Sequence, residues 1–501
     1  MTSTLDAPLR SRSVAYLTVV GAVVALLAAG LAVPYLFGHP DTGGRTTGLA
    51  IGGPGSPSAQ PAGTLPNGAL AGGGSAATVG GSGGFGRLPA SAPAASSGAA
   101  AAGRAAARGA GATAPGVSDH QIRLGIPIFD LGNLPVNGIN PAQQEAQWNS
   151  YLDAVNKAGG VEGRQLVPVY AGYNPLQEDS SRAACLALTQ DTQVFAVLAY
   201  GLFDNQVGCF SQEHAVPLVN GIGVSDATMA ASGRRMLTVN ISKDRALRDQ
   251  ALLVAQMGVL QGKTVGIVTS TDRNDNASVD AALVPTLRQL GVKVAHTSNL
   301  SSDEGTALAQ LPVEVRAMQA AGVNVVFLAA NLLYSGYFVE DADSQGYHPQ
   351  YTTSDFEQLV EDGETNMFTA GFDGAIGITA LRSGEQRVGD AEPPFDARCR
   401  QIYQSASGES YQRGDLEYDT TEAMCSVVDI TAKALALASP SLTRDGFIAA
   451  AETLNNFDLG YSAPGSFSAA KHDAPQSLRV ARWHYACKCW VPTSAFAPAP
   501  S

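Results

Sequence analysis

Several absences narrow the class of this chain. No cysteine occurs before Cys185, so a lipid-anchored cysteine near the start is excluded. The seven histidines (His39, His120, His214, His296, His348, His472, His484) include no i, i+4 pair, so a helical zinc motif is missing and no metal is expected. Basic residues are few. The chain holds 31 basic and 44 acidic side chains, of which six and two precede residue 117, leaving 25 and 42 beyond it, a balance of −17. Binding to a phosphate backbone, which needs basic stripes, is thereby excluded, and no nucleic-acid partner is expected. GKT at 262–264 enters a strand instead of opening a helix, and Gly221-x-Gly223 is followed by Asp226 where a dinucleotide fingerprint needs glycine or alanine. There is no GxSxG elbow, and no carboxylate pair stands out from an acidic surface. With no convergent reactive groups, no catalytic residue and no cofactor are expected, and the chain reads as a non-enzyme.

Composition divides the chain into regions. Residues 14–37 are 24 consecutive uncharged, mostly apolar residues preceded by Arg10 and Arg12. That length suits a membrane-spanning signal-anchor helix better than the shorter apolar core of a cleaved signal, and the arginines place residues 1–13 in the cytoplasm. The expected location is the cell membrane, single-pass, with the globular part outside. Residues 38–116 are Gly, Ala, Ser and Pro with almost no large apolar side chain, which reads as a disordered linker with a mean span near ~50 Å. Compositional drift would give the same tract. Residues 117–495 carry the fold, and their length calls for two lobes.

Within them, residues 122–129 (IRLGIPIF) read as a strand, followed by Asn140-Pro141 as helix cap and first-turn proline. Trp148, Tyr151, Leu152 and Val155 fall on one helical face, and Gly159-Gly160 end that helix before an Arg-bearing turn and the next strand. Apolar runs at 194–199, 216–219, 265–268, 292–295 and 323–329 continue the strand and helix alternation, an α/β pattern.

The opening passage, with VNKAGGVEGRQLVPVYAGY at 155–173, resembles the first unit of the type I periplasmic binding proteins, the branched-chain amino acid and amide group. The likeness runs from about residue 121 to 492. It implies two Rossmann-like lobes, lobe 1 at about 117–242 and 371–465 and lobe 2 at about 243–370 and 466–495. It also implies a disulfide between Cys185 and Cys209. Cys399 and Cys425 lie on neighbouring helical stretches, and Cys487 and Cys489 share a face of a terminal strand; six cysteines permit 15 pairings, and the connectivity stays open.

Ligands of open α/β sheets sit beyond the carboxyl ends of the strands. Tyr200, Phe203, Gly221, Gly223 and Ser225 occupy such loops in lobe 1, where the resemblance implies that backbone N–H groups and a hydroxyl take a ligand carboxylate. Ordinary turn chemistry explains the same residues. Asp272, Asn274, Asn331 and Asp355 face them from lobe 2, with Asp355 a partner for a ligand ammonium. Asp272 and Asn274 stand where amino-acid-binding relatives place an aromatic residue. The resemblance implies a solute-binding protein of an ABC importer, closing by hinge motion on an amino acid, amide or carboxylate, with an ABC permease as partner. A membrane-anchored sensing or scaffold head is the alternative.

Overall fold

Asn140 caps the helix Pro141–Lys157 by accepting the N–H of Gln143 at 2.8 Å, and Pro141 fills the first turn, where a missing N–H costs nothing. Trp148, Tyr151, Leu152 and Val155 are buried along its inner face. The helix stops at a turn where Gly160 has φ +67°; a side chain there would also meet the carbonyl of Arg164 at 2.1 Å, so both conformation and space demand glycine. The chain then enters the strand Gln165–Tyr173, which runs parallel to the strand Gln121–Phe129.

The computed structural model describes residues 114–131, 140–175, 177–362 and 367–500, apart from the side chains of Arg273 and Asn274. Two α/β lobes emerge. The first sheet runs in the order β2-β1-β3-β4-β5, from β1 (Gln121–Phe129), β2 (Gln165–Tyr173), β3 (Ala196–Ala199), β4 (Leu218–Asn220) and β5 (Met236–Thr238). All its pairings are parallel, so both faces must be covered. Helices Pro141–Lys157, Pro394–Ser407, Leu416–Ala438 and Arg444–Ala451 bury one face; the helices beginning at Glu178 and Asp204 bury the other.

The second sheet has the order β12-β11-β10-β9-β8-β6-β7. Its members are β6 (Val265–Ser270), β7 (Val294–Leu300), β8 (Val325–Ala329), β9 (Gln350–Ser354), β10 (Ile376–Thr379), β11 (Ser477–His484) and β12 (Cys489–Pro492), with the short β13 (Ala497–Pro498) paired to β11 off this path. β6 to β10 are parallel, while β11 and β12 add an antiparallel edge. Helix Lys243–Gln256 covers one face; Glu304–Ala320 and Leu332–Ser344 cover the other, with Trp483 and Trp490 fully buried there. Because β10 pairs with β9, the second crossing between lobes falls just beyond Thr379, not near Gly371, and the third runs through residues 460–475.

Three disulfides are closed: Cys185–Cys209, Cys399–Cys425 and Cys487–Cys489. Cys487 lies in the turn before β12, not in a strand. Cys399–Cys425 joins helices Pro394–Ser407 and Leu416–Ala438 across 26 residues, a loop whose closure contributes about 3 kcal/mol. A Cys399→Ala/Cys425→Ala variant is expected to lose that amount in guanidinium unfolding. An unchanged midpoint would mean the two thiols are not bonded.

The expected membrane anchor is corrected. Among the described residues no helix is long and apolar enough to cross a membrane. The longest described helix, Leu416–Ala438, carries Glu417, Asp419, Glu422, Asp429 and Lys433, whereas a span needs about 20 mostly apolar residues. Residues 1–13, 14–37 and 38–113, on which the cytoplasmic start, the anchor and most of the linker were placed, lie outside the described residues. The transmembrane part of the fold class, the membrane partner and the single-pass location are therefore withdrawn.

Candidate functional site

Strand ends of both lobes and all three crossings converge on one space of about 380 Å³, counted out to bulk solvent. Tyr200 follows β3 and Gly221 with Ile222 follows β4; Val239 and Asn240 belong to the first crossing and Leu381 to the second. Gln358 and Glu361 come from the loop after β9, Gly460, Tyr461 and Ser462 from the third crossing, and Ala423 from the helix Leu416–Ala438. Crossings two and three lie side by side: Leu381 bridges Ser462, and the N–H of Ala463 donates to Ala380 at 2.8 Å. Gln358 (φ +59°) and Tyr461 (φ +68°) hold left-handed backbone conformations that side-chain-bearing residues rarely adopt. Such strain persists where surrounding structure enforces it, and it gathers at ligand sites.

Beside this space lies a second arrangement, filled by the chain itself. The Lys243 ammonium, buried at the start of helix Lys243–Gln256, contacts Asp204 at 3.2 Å, Asp275 at 3.1 Å and Glu357. Asp204 belongs to lobe 1, Asp275 and Glu357 to lobe 2, so one cation ties the lobes together. Burial alone would lower Lys243; the three carboxylates outweigh it and hold the ammonium well above its ordinary range. Burial would likewise raise Asp204, but Lys243 and the hydroxyls of Ser225 and Thr228 hold it below the usual carboxylate range. Glu357 is pushed up to about 8, burial winning over the attraction of Lys243.

Of the expected ligand residues, Tyr200 and Gly221 line the open space. Ser225 does not. Its N–H and hydroxyl donate to Asp204 at 2.9 and 2.6 Å, joined by the Thr228 hydroxyl at 2.6 Å, so the donors foreseen for a ligand carboxylate hold the chain's own carboxylate. Gly223 is packed against the crossing, where a side chain would meet the carbonyl of Ile241 at 1.9 Å. Phe203 is 39% exposed and closes nothing. Asp272 accepts the N–H of Asp275, and Asn331 caps helix Leu332–Ser344 by accepting from Tyr334; the Asn274 side chain lies outside the described set. Asp355 accepts from the Thr379 hydroxyl at 2.6 Å and the Ala380 N–H at 2.7 Å, pinning the second crossing instead of facing the space. Sequence reasoning passed over Asn240, Gln358, Glu361, Ala423 and Gly460–Ser462. The lobe boundary placed at about residue 242 was the nearest signal in the sequence.

Burial is the largest cause that pushes Asp355 and Asp396 up to about 7, as it is for Glu357 at about 8. Acids raised on folding contribute stability that is full below their unfolded pKa of roughly 4 and is lost as pH rises through 7 to 8. Asp204 and Glu392, held low, lose their contribution only as pH falls below about 4. The melting temperature is therefore expected to fall between pH 5 and pH 8.5 in scanning calorimetry. A rising profile would contradict the buried state of these carboxyls.

Residues 143–488 match the family model for periplasmic binding proteins. Among solved structures, similarity is found to the fatty acid ABC transporter substrate-binding protein from Thermomonospora curvata, at 17% identity and TM-score 0.58, covering 77% of this chain and 95% of that one. A solute-binding protein of an ABC transporter from Rhodopseudomonas palustris BisB5, in complex with 3,4-dihydroxybenzoic acid, matches at 13% identity and TM-score 0.57, covering 76% and 98%. An ABC transporter substrate-binding protein from Desulfitobacterium hafniense in complex with leucine matches at 14% identity and TM-score 0.56, covering 74% and 100%. No curated protein matches.

Proposed function

The chain belongs to the periplasmic binding protein family, whose members are binding proteins and not enzymes, and on that footing we propose that it captures a small solute between its lobes for an ABC importer. The supporting observation is the convergence of strand-end loops from both lobes and three crossings on a single space. Two lobes between which the chain passes at three such segments can rotate about them, and closure on a guest excludes water and adds contacts from both sides. Tyr200, Gly221, Asn240, Gln358, Glu361, Tyr461 and Ser462 form the walls that would meet the solute. The compounds named with the similar structures, a fatty acid, 3,4-dihydroxybenzoic acid and leucine, share a carboxyl group.

Native mass spectrometry of the full chain incubated with cell extract tests this reading. A single small molecule is expected to be retained in 1:1 ratio. The same molecule, at about 100 times its Kd, should raise stability by about 2.7 kcal/mol. Chemical conversion of that molecule, or no retained mass and no stabilisation, would contradict it.

A further inference from the structure

Charge divides the cleft from what its relatives' ligands would suggest. The open space is lined by Glu361 and by the polar groups of Tyr200, Asn240, Gln358, Tyr461 and Ser462, and among the described residues no lysine, arginine or histidine is one of its walls. Behind the third crossing stands Glu422, with 0% exposure and neither carboxylate oxygen hydrogen-bonded. Its Oε2 lies 2.7 Å from where a side chain on Gly460 would begin, and Gly460 is itself a wall of the space. The Glu422 backbone carbonyl is equally close, so only a glycine fits between this carboxylate and the space. One turn earlier on the same helix, Asp419 is 1% exposed with one oxygen unpartnered. Glu361 and Asp362 reach it electrostatically from lobe 2.

The guanidinium groups that act on Glu422 from a distance have other partners: Arg398 bonds Asp429, and Arg400 bonds Glu392. An unpaired buried carboxylate costs several kcal/mol unless a cation or proton joins it. Among the described residues no three carboxylates converge closely enough to hold a metal ion. Two aromatic rings, Tyr200 and Tyr461, add faces to which an organic cation is attracted. The donors foreseen for a ligand carboxylate, at Ser225 and beside it at Thr228, are taken by Asp204.

We propose that the solute of this cleft is an organic cation without a carboxylate, an amine, guanidine or quaternary ammonium whose positive group is drawn to Glu361, Glu422 and Asp419. This rests on the solute-binding reading and deepens it. In the closed complex the cation offsets the charge of Glu361 and of the buried Glu422 behind it, so affinity falls with salt and with loss of either glutamate.

The test uses the full chain and a thermal-shift and calorimetric panel of choline, putrescine and agmatine against leucine, octanoate, 3,4-dihydroxybenzoate, acetamide and calcium chloride. At least one of the three cations is expected to bind, and Glu422→Gln or Glu361→Gln to weaken it tenfold or more. Glu422→Gln should fold at least as stably as the parent, because it removes an unpaired charge. Binding of an acid, of acetamide or of calcium in place of the cations overturns the charge assignment, as does cation binding indifferent to both variants, while capture between the lobes stands. Silence across the panel overturns it as well; if cell extract also leaves no bound mass, the solute-binding reading falls with it.

Discussion

Ala423→Phe is expected to abolish solute capture while leaving the fold intact. Ala423 is half-buried on the helix Leu416–Ala438 and forms part of the wall of the space. A phenyl ring projecting from Ala423 into the space that it lines removes room from the guest. A loss of about 100-fold in affinity, near 2.7 kcal/mol, should appear in titration calorimetry. Circular dichroism should be unchanged. Undiminished binding would place the solute elsewhere.

The second large effect concerns Lys243. Removing its ammonium by Lys243→Met leaves Asp204, Asp275 and Glu357 facing one another in a buried site. Breaking a buried ion cluster from one side costs about 3–5 kcal/mol, because uncompensated charge remains. Urea unfolding should show that loss. Adding Asp275→Asn and Glu357→Gln should restore most of it, since neutral groups need no cation. A Lys243→Met protein as stable as the parent would show that the cluster is not closed in solution. Because Asp204 sits in one lobe and its partners in the other, the cluster also biases the lobes toward closure.

Much of the architecture was legible in order and type. Hydrophobic period, the Asn140-Pro141 cap and the Gly159-Gly160 stop are local signals, and local physics wrote them into the chain. β10 was placed in the wrong lobe because IGIT at 376–379 is a buried run of four residues, and nothing in it says which sheet it joins. Short crossings have the same difficulty. Gly460-Tyr461-Ser462 shows no periodicity, yet tertiary packing against Leu381 and Asp396 brings it to the cleft and forces Tyr461 into a left-handed conformation. That the loops after β3 and β4 reach the space between the lobes was legible from strand ends alone. What those loops do was not legible: Ser225 was read as a ligand donor, and only the fold reveals that Asp204 arrives from 21 residues away to take its N–H and hydroxyl. Long-range pairing of charge leaves no mark on neighbouring residues.

Amide hydrogen exchange of the full chain, with and without its retained solute, tests the central claim most directly. Capture between the lobes should slow exchange together at four separated segments, 199–222, 358–362, 380–383 and 460–463, because each contributes a wall or a crossing. Protection confined to one lobe, or found only away from these segments, would contradict a solute held in the shared cleft.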